Sequence, residues 1–444
     1  MRPATPMTQE LRRSIGIWQA TAMVAGTIIG ASIFVQPSVM TAQVPSLGAV
    51  TAVWIVAGVL TLCGALVTAE LASAFPETGG VYVFLREAFS PALGFLWAWA
   101  MFWSMHSGII AAIAMVFATY VGRLVPLDPT GIRLVAIVGI LTLSAINYVG
   151  VRHGSRLQTA FTAGKVVAIV GIVAVGYALA QGGSLPPSTP ENALAAGSPS
   201  VGDFALALVA GLFAFGGWHM VTYAAGETVE PERTIPRALL FGTLIVTLCY
   251  VALNAVYFRV LPLAVVVSSQ RVAADAAEAV VGPSGAVAVS ALVVFSTFGA
   301  LAGIVLAGPR VYYSLARDGL LFRWIGTVHP RFHTPHRAIA LQAVWASALV
   351  ATGTYRALFT RVVYTEWVFF GLMAVGLVLL RRRSGYSPRY HVWGYPVLPL
   401  VFAVACGAIV VNQIVSDPLE SVLGLGIVAV GLPVYFLWTR HAHR

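Results

Sequence analysis

Charge is what this sequence has least of. Of 444 residues only 9% are Asp, Glu, Lys or Arg, against about 25% in soluble domains, and a single lysine, Lys165, occurs in the whole chain. Such a chain cannot cover a folded surface with solvated side chains, so a water-soluble domain is excluded. Cysteine is nearly as scarce. Cys63, Cys249 and Cys406 all fall within apolar runs, which leaves no disulfide framework and no CxxC metal site. No GxSxG, HExxH, Walker A or strand-linked GxGxxG is present, so the common catalytic signatures are missing and no cofactor is expected. The opening residues, MRPATPMTQELRRS, lack the apolar core of a secretion signal, so the first apolar segment is expected to be retained.

What the chain has in excess is apolar length. It is 59% hydrophobic, with a mean hydropathy of +0.86, and runs of about 20 apolar residues recur from end to end. Windows between charges, prolines and glycines predict twelve spans, at 14–43, 47–75, 89–124, 131–150, 155–180, 202–228, 236–262, 284–316, 338–355, 360–380, 396–416 and 418–439. Several exceed 25 residues, which implies tilt or breaks. A Gly-, Pro- and Ser-rich loop over Gln181–Ser200 separates two groups of five, and RVAADAAEAVVG is a candidate interfacial helix between the seventh and eighth spans.

The net charge of +10 invites a nucleic-acid reading, but no soluble basic stripe carries it. Threading the spans through a bilayer puts nineteen arginines on one face and six on the other, with Lys165 between them. By the positive-inside rule the first face, with both termini, is cytoplasmic, and an even number of spans agrees. The expected partner is therefore a lipid bilayer, with no nucleic acid.

Two stretches stand out within the spans: Gly26 to Phe34, GTIIGASIF, and Gly211 to His219, GLFAFGGWH. A helix in lipid must satisfy its own backbone, so it breaks only where protein or a watery cavity surrounds the break. Matched interruptions opening each half of a chain are the pattern of a secondary transporter with inverted repeats and a midplane site. A break at Gly30 to Ser32 would aim free amides of a half-helix N-terminus at a carboxylate, and the carbonyls released before it suit an ammonium. The break over Phe213 to Gly217 would add further carbonyls. Together these make a receptor for a zwitterionic α-amino acid. The bland alternative is that the glycines only let helices pack closely.

Lys165 lies ~12 Å inside the fifth span, too deep to reach water easily. An ionisable group there is costly unless paired, which marks it as functional. No carboxylate lies at comparable depth and the spans offer no acidic residue near either break, so its expected partners are carbonyls freed at the first break. His219 and His106 are candidates for substrate or proton contact, with ordinary buried hydrogen bonding as the alternative. Glu70, Glu227, Glu230 and Glu232 read as solvated ion pairs or gate contacts near the cytoplasmic face.

The segments GTIIGASIF, AELASAFPETGGVY (69–82), FTAGK (161–165), GLFAFGGWH, GETVEPERTIPRA (226–238) and ARDG (316–319) together resemble the L-type amino acid transporters of the amino acid, polyamine and organocation superfamily, in a prokaryotic form. The resemblance covers about 14–380. It implies an all-α membrane protein with a LeuT-like five-plus-five inverted repeat, discontinuous first and sixth helices, repeats at 14–180 and 202–380, and two further helices at 396–439. It implies sodium-independent transport of neutral L-amino acids, often by exchange, through alternating access in the cell's inner (plasma) membrane. Carried over by position, Ala31 and Ser32 would offer amides to the substrate carboxylate, and Ile28, Phe213 and Gly216 carbonyls to its amine. Gly30 and Gly217 are counted with them as substrate-binding residues, and the Phe213 ring would cover the site as part of the outer gate. Lys165 would stand where sodium-coupled relatives hold an ion, bridging the first and eighth helices.

The sequence departs from the family pattern twice. GSGIF is here Gly30, Ala31, Ser32, Ile33, Phe34, and His219 replaces the usual Asn or Asp facing the substrate side chain. Eukaryotic members are linked to a heavy chain through a cysteine near the third and fourth helices; with none between Cys63 and Cys249, no such partner is expected. Proton-coupled symport and a polyamine or cationic amino acid carrier remain the alternatives within transport. A channel, a receptor or a membrane enzyme are the alternatives outside it.

Overall fold

The computed structural model describes residues 11–30, 32–181, 200–269, 271–354 and 364–442. Among these the regular structure is helix, apart from one isolated bridge between Ile15 and Thr228. Among the described residues nine helices are long and apolar enough to cross a membrane, and a tenth apolar helix, Thr365–Leu380, is shorter. This is a multi-pass membrane protein.

Each of the twelve apolar windows contains helix. The first is two pieces, α1 (Ile17–Ile28) and α2 (Ser32–Gln43). Then come α3 (Leu47–Ala74), a short α4 (Val81–Ala88), and a third span built from α5 (Pro91–Ala100), one π turn (Met101–Met105) and α6 (His106–Leu124). Next are α7 (Pro129–Val149), α8 (Val151–Gln181), α9 (Val201–Ala214) and a 3-10 segment, Trp218–Glu227. These are followed by α10 (Pro231–Val260), α11 (Leu263–Ser268), α12 (Val272–Val281), α13 (Pro283–Arg317), α14 (His336–Thr352), α15 (Thr365–Leu380), α16 (Val397–Ser416), α17 (Pro418–Ala429) and α18 (Gly431–Ala442). Nearly all of the loop expected at 181–200 lies outside the described residues. The stretch expected as an interfacial helix is helical, as α12, and buries Val272, Ala273, Ala274 and Ala276.

Helix starts follow capping chemistry. Ser90 and Asp128 each precede a proline at the first helical position and accept a hydrogen bond from an amide one turn on, from Leu93 and Gly131. That satisfies a donor that the helix itself leaves open, and the proline has no donor to satisfy. Inside α13, Pro309 has no N–H for the carbonyl of Val305, four residues earlier. The side-chain amide of Gln342 donates to that carbonyl at 3.1 Å, so the gap in the ladder is closed from α14.

α1 stands at the centre, gripped on three sides through glycine. A Cβ on Gly26 would come within 2.1 Å of the Thr162 hydroxyl of α8, one on Gly242 of α10 within 2.5 Å of Val24, and one on Gly303 of α13 within 2.7 Å of Thr27. Helix axes this close gain dispersion contacts that bulkier residues would block. For Gly26, then, the packing role is real.

Candidate substrate site

The first break follows from one rerouted hydrogen bond. The amide of Gly30 bonds the carbonyl of Ile28 at 2.8 Å instead of that of Gly26, and a new helix starts at Ser32. The carbonyls of Gly26 and Ile29 are left over. The Lys165 ammonium, 1% exposed, donates to both, at 3.0 and 2.6 Å. Ser296 of α13 donates to the carbonyl of Gly30 at 3.2 Å, and the Lys165 stem lies against Gly299 of the same helix. The first break is thus held by α8 and α13 together.

The second break lies at Phe215 to Gly217. Gly217 has φ 102°, a left-handed conformation that favours glycine, and beyond it the chain winds as the 3-10 segment. The two breaks touch. The Thr27 hydroxyl is 3.2 Å from the carbonyl of Gly217. The Tyr250 hydroxyl of α10 lies 3.1 Å from the carbonyls of both Ile28 and Ala214, its ring packed against Trp54 and Phe215.

Between them is a cavity of about 200 Å³. Its wall includes Thr27, Ile28, Gly30 and Ser32 from the first break, Phe213, Gly216, Gly217 and Trp218 from the second, Ile109 and Val116 of α6, Ile304 of α13, and Glu366, Trp367 and Phe370 of α15. Ile28, Gly30, Ser32, Phe213, Gly216 and Gly217, singled out from the sequence, therefore share one wall; Ala31 lies outside the described residues. The first turn of α2 brings amides without helical partners to this space. The carbonyl of Phe213 accepts from Gly216 and keeps a second lone pair, whereas that of Ile28 accepts from Gly30 and also faces the Tyr250 hydroxyl, which it shares with the carbonyl of Ala214. The Phe213 ring, expected to cover the site, is 43% exposed.

His219 is placed differently from its expected substrate contact. It is 1% exposed and off the cavity wall, enclosed by Trp97, Trp218, Tyr223 and Phe370 at ring separations of 6.0, 5.4, 5.5 and 4.7 Å. Successive helical residues point about 100–120° apart, so with Trp218 on the cavity wall its neighbour His219 turns away from it. His106 is likewise structural, its Nε2 2.9 Å from the carbonyl of Ile304 in α13. The expectation that no acidic residue lies near the breaks is overturned by Glu366 on the cavity wall. An ionisable residue in an apolar span was the available signal. Tyr250 gave no comparable signal, since a tyrosine in a span is ordinary.

Ion pairs seal the arginine-rich end of the molecule. Arg310 of α13 grips Glu227 through two bonds of 2.6 and 3.0 Å, with both side chains fully buried. Arg381 does the same to Glu70 at 2.7 and 2.5 Å. Arg86 bonds Asp318, which also accepts from the Tyr82 hydroxyl at 2.5 Å. Burial and the adjacent Asp318 carboxylate hold the Tyr82 phenol protonated well above its ordinary range. Glu70 and Glu227 are thus desolvated contacts, whereas Glu230 and Glu232 form the exposed pairs expected, with Arg233 and Arg389.

Comparison with known proteins agrees with this architecture. The family model described as "Amino acid permease" matches residues 15–433. The mouse large neutral amino acids transporter small subunit 2 is 31% identical over 441 residues, covering 98% of this chain and 82% of the relative. The mouse Asc-type amino acid transporter 1 is 32% identical, covering 96% and 81%. The human b(0,+)-type amino acid transporter 1 is 31% identical, covering 98% and 90%. These relatives are mammalian, so they lend no support to the prokaryotic form expected from the motifs.

Proposed function

The chain belongs to the amino acid permease family, and on that premise we propose that it exchanges neutral L-amino acids across a cell membrane by alternating access, without sodium. The observation that carries the reading is the meeting of two broken helices at one cavity, with Lys165 bonded to the leftover carbonyls of the first break. The half-helix beginning near Ser32 takes the substrate carboxylate on its amides, and the carbonyls of Ile28, Phe213 and Gly216 take the ammonium. Lys165 fills the place beside the break with a nitrogen that donates to both leftover carbonyls, which makes a sodium ion there redundant.

In this reading 14–180 and 202–380 are the two inverted repeats, each opened by its broken helix. The ion pairs close the cytoplasmic side, and the cavity opens to the other through the outer halves of α6 and α15. Both termini are cytoplasmic and the membrane is the plasma membrane. The protein works without a disulfide-linked heavy chain, since no cysteine lies between Cys63 and Cys249. Proteoliposomes preloaded with a mixture of amino acids take up a labelled neutral amino acid faster than empty ones, with or without sodium. Equal uptake by loaded and empty vesicles would sink the exchange reading, and strict sodium dependence would sink the role given to Lys165.

A further inference from the structure

Glu366 is the only charged side chain on the cavity wall among the described residues. Besides the indoles of Trp218 and Trp367, the other polar side chains there are Thr27 and Ser32, and the Thr27 hydroxyl is already engaged with the carbonyls of Met23 at 2.7 Å and Gly217. Glu366, half-buried at the cavity, forms no hydrogen bond or ion pair with any described residue, whereas the buried carboxylates among the described residues, Glu70 and Glu227, are each held by two nitrogens of an arginine. It stands in the first turn of α15, where a carboxylate also suits the helix dipole. That placement alone does not turn it inward. It shares the cavity-facing side of α15 with Trp367 and Phe370, at the spacing of one helical face, opposite the two breaks.

We propose that Glu366 reads the substrate side chain: it accepts a hydrogen bond from a donor there, so the protein prefers amino acids whose side chains carry a hydroxyl or amide group. This rests on the proposed exchange function and adds the substrate class to it. The α-carboxylate and α-ammonium are taken at the breaks, and in a space of about 200 Å³ the rest of a small amino acid reaches the facing wall. A carboxyl group in either protonation state retains acceptor lone pairs, so the preference does not depend on which state is present. An apolar side chain of the same shape strips water from Glu366 and returns nothing, and an unpaired buried polar group is the strongest ground on which a site rejects an isostere.

The test uses the full chain in proteoliposomes and the labelled amino acid that exchanges best. Matched competitors are compared: threonine with valine, and asparagine with leucine. The donor-bearing member of at least one pair is expected to inhibit at a concentration on the order of tenfold lower. In Glu366→Met that ratio should fall to about one, whatever the absolute rate, while Glu366→Gln, which keeps an acceptor oxygen, retains the preference. If threonine competes no better than valine, and the other pair behaves alike, while exchange itself proceeds, Glu366 does not select and the exchange reading stands. An unchanged ratio in Glu366→Met overturns the proposal equally. Should the Met variant fail to fold, the unaltered protein still decides: threonine must raise its melting temperature more than valine does at equal concentration.

Discussion

At the residue scale the informative group is Lys165. Its ammonium replaces the partners that the carbonyls of Gly26 and Ile29 lose when α1 ends. In Lys165→Ala two buried carbonyls lose their donor, at about 1–3 kcal/mol each, and α8 loses its hold on the break. The break still presents its amides and carbonyls, so equilibrium binding is expected to change by less than about threefold, whereas exchange slows by roughly tenfold or more. Substrate-dependent thermal stabilisation reads the first and vesicle exchange the second. A large loss of affinity at unchanged turnover would place Lys165 in the binding site instead. That Lys165 mattered was legible because a lone lysine deep in an apolar span has no inexpensive place to be. Glu366 was equally legible in principle, but its position between Arg361 and a run of apolar residues makes it read as a charge at a span end, and only the folded chain turns α15 toward the breaks.

At the element scale, glycines that look alike in sequence divide into two kinds. Gly26 keeps α1 against α8, and Gly217 makes the turn of the second break. Gly26→Ala drives a methyl group into Thr162 and Gln158 and is expected to destabilise the protein by about 1–3 kcal/mol. Gly217→Ala imposes a left-handed conformation costing roughly 1–2 kcal/mol and sets the new Cβ 3.3 Å from that of Thr27. Its damage falls on the break, so exchange drops by about 5- to 30-fold with a smaller fall in melting temperature. The opposite ranking of the two variants would undo this division. Composition and glycine spacing revealed the spans and the breaks because bilayer thickness and backbone satisfaction leave few options. They did not reveal facing, because a residue's direction beyond a break depends on how the chain winds there. His219, in a 3-10 turn, shows the difference.

At the scale of the whole molecule, the ion pairs are ranked by burial. Arg310 with Glu227 is fully enclosed, while Arg86 with Asp318 keeps side-chain exposures of 18% and 31%. Removing one charge of the enclosed pair strands the other, so Glu227→Gln is expected to cost about 3–5 kcal/mol and to lower the melting temperature sharply. Asp318→Asn removes a partly hydrated contact worth about 0.2–1 kcal/mol. Its expected effect is a shift toward molecules open at the arginine-rich face, read as a two- to fivefold weaker apparent affinity for external substrate at nearly unchanged stability. Equal thermal losses in the two variants would show that both pairs merely hold the fold together.

The Ile15–Thr228 bridge carries a last consequence. The amides of Ser14 and Ile15 both reach the carbonyl of Glu227, at 2.7 and 3.0 Å, and the amide of Val229 returns to the carbonyl of Ile15 at 2.9 Å. The leading segment is therefore laced to the residue whose side chain clasps Arg310. Trimming the chain back past Ile15, or fusing a rigid tag there, is not a neutral edit: it tugs on the inner door through its hinge post without altering a single charge.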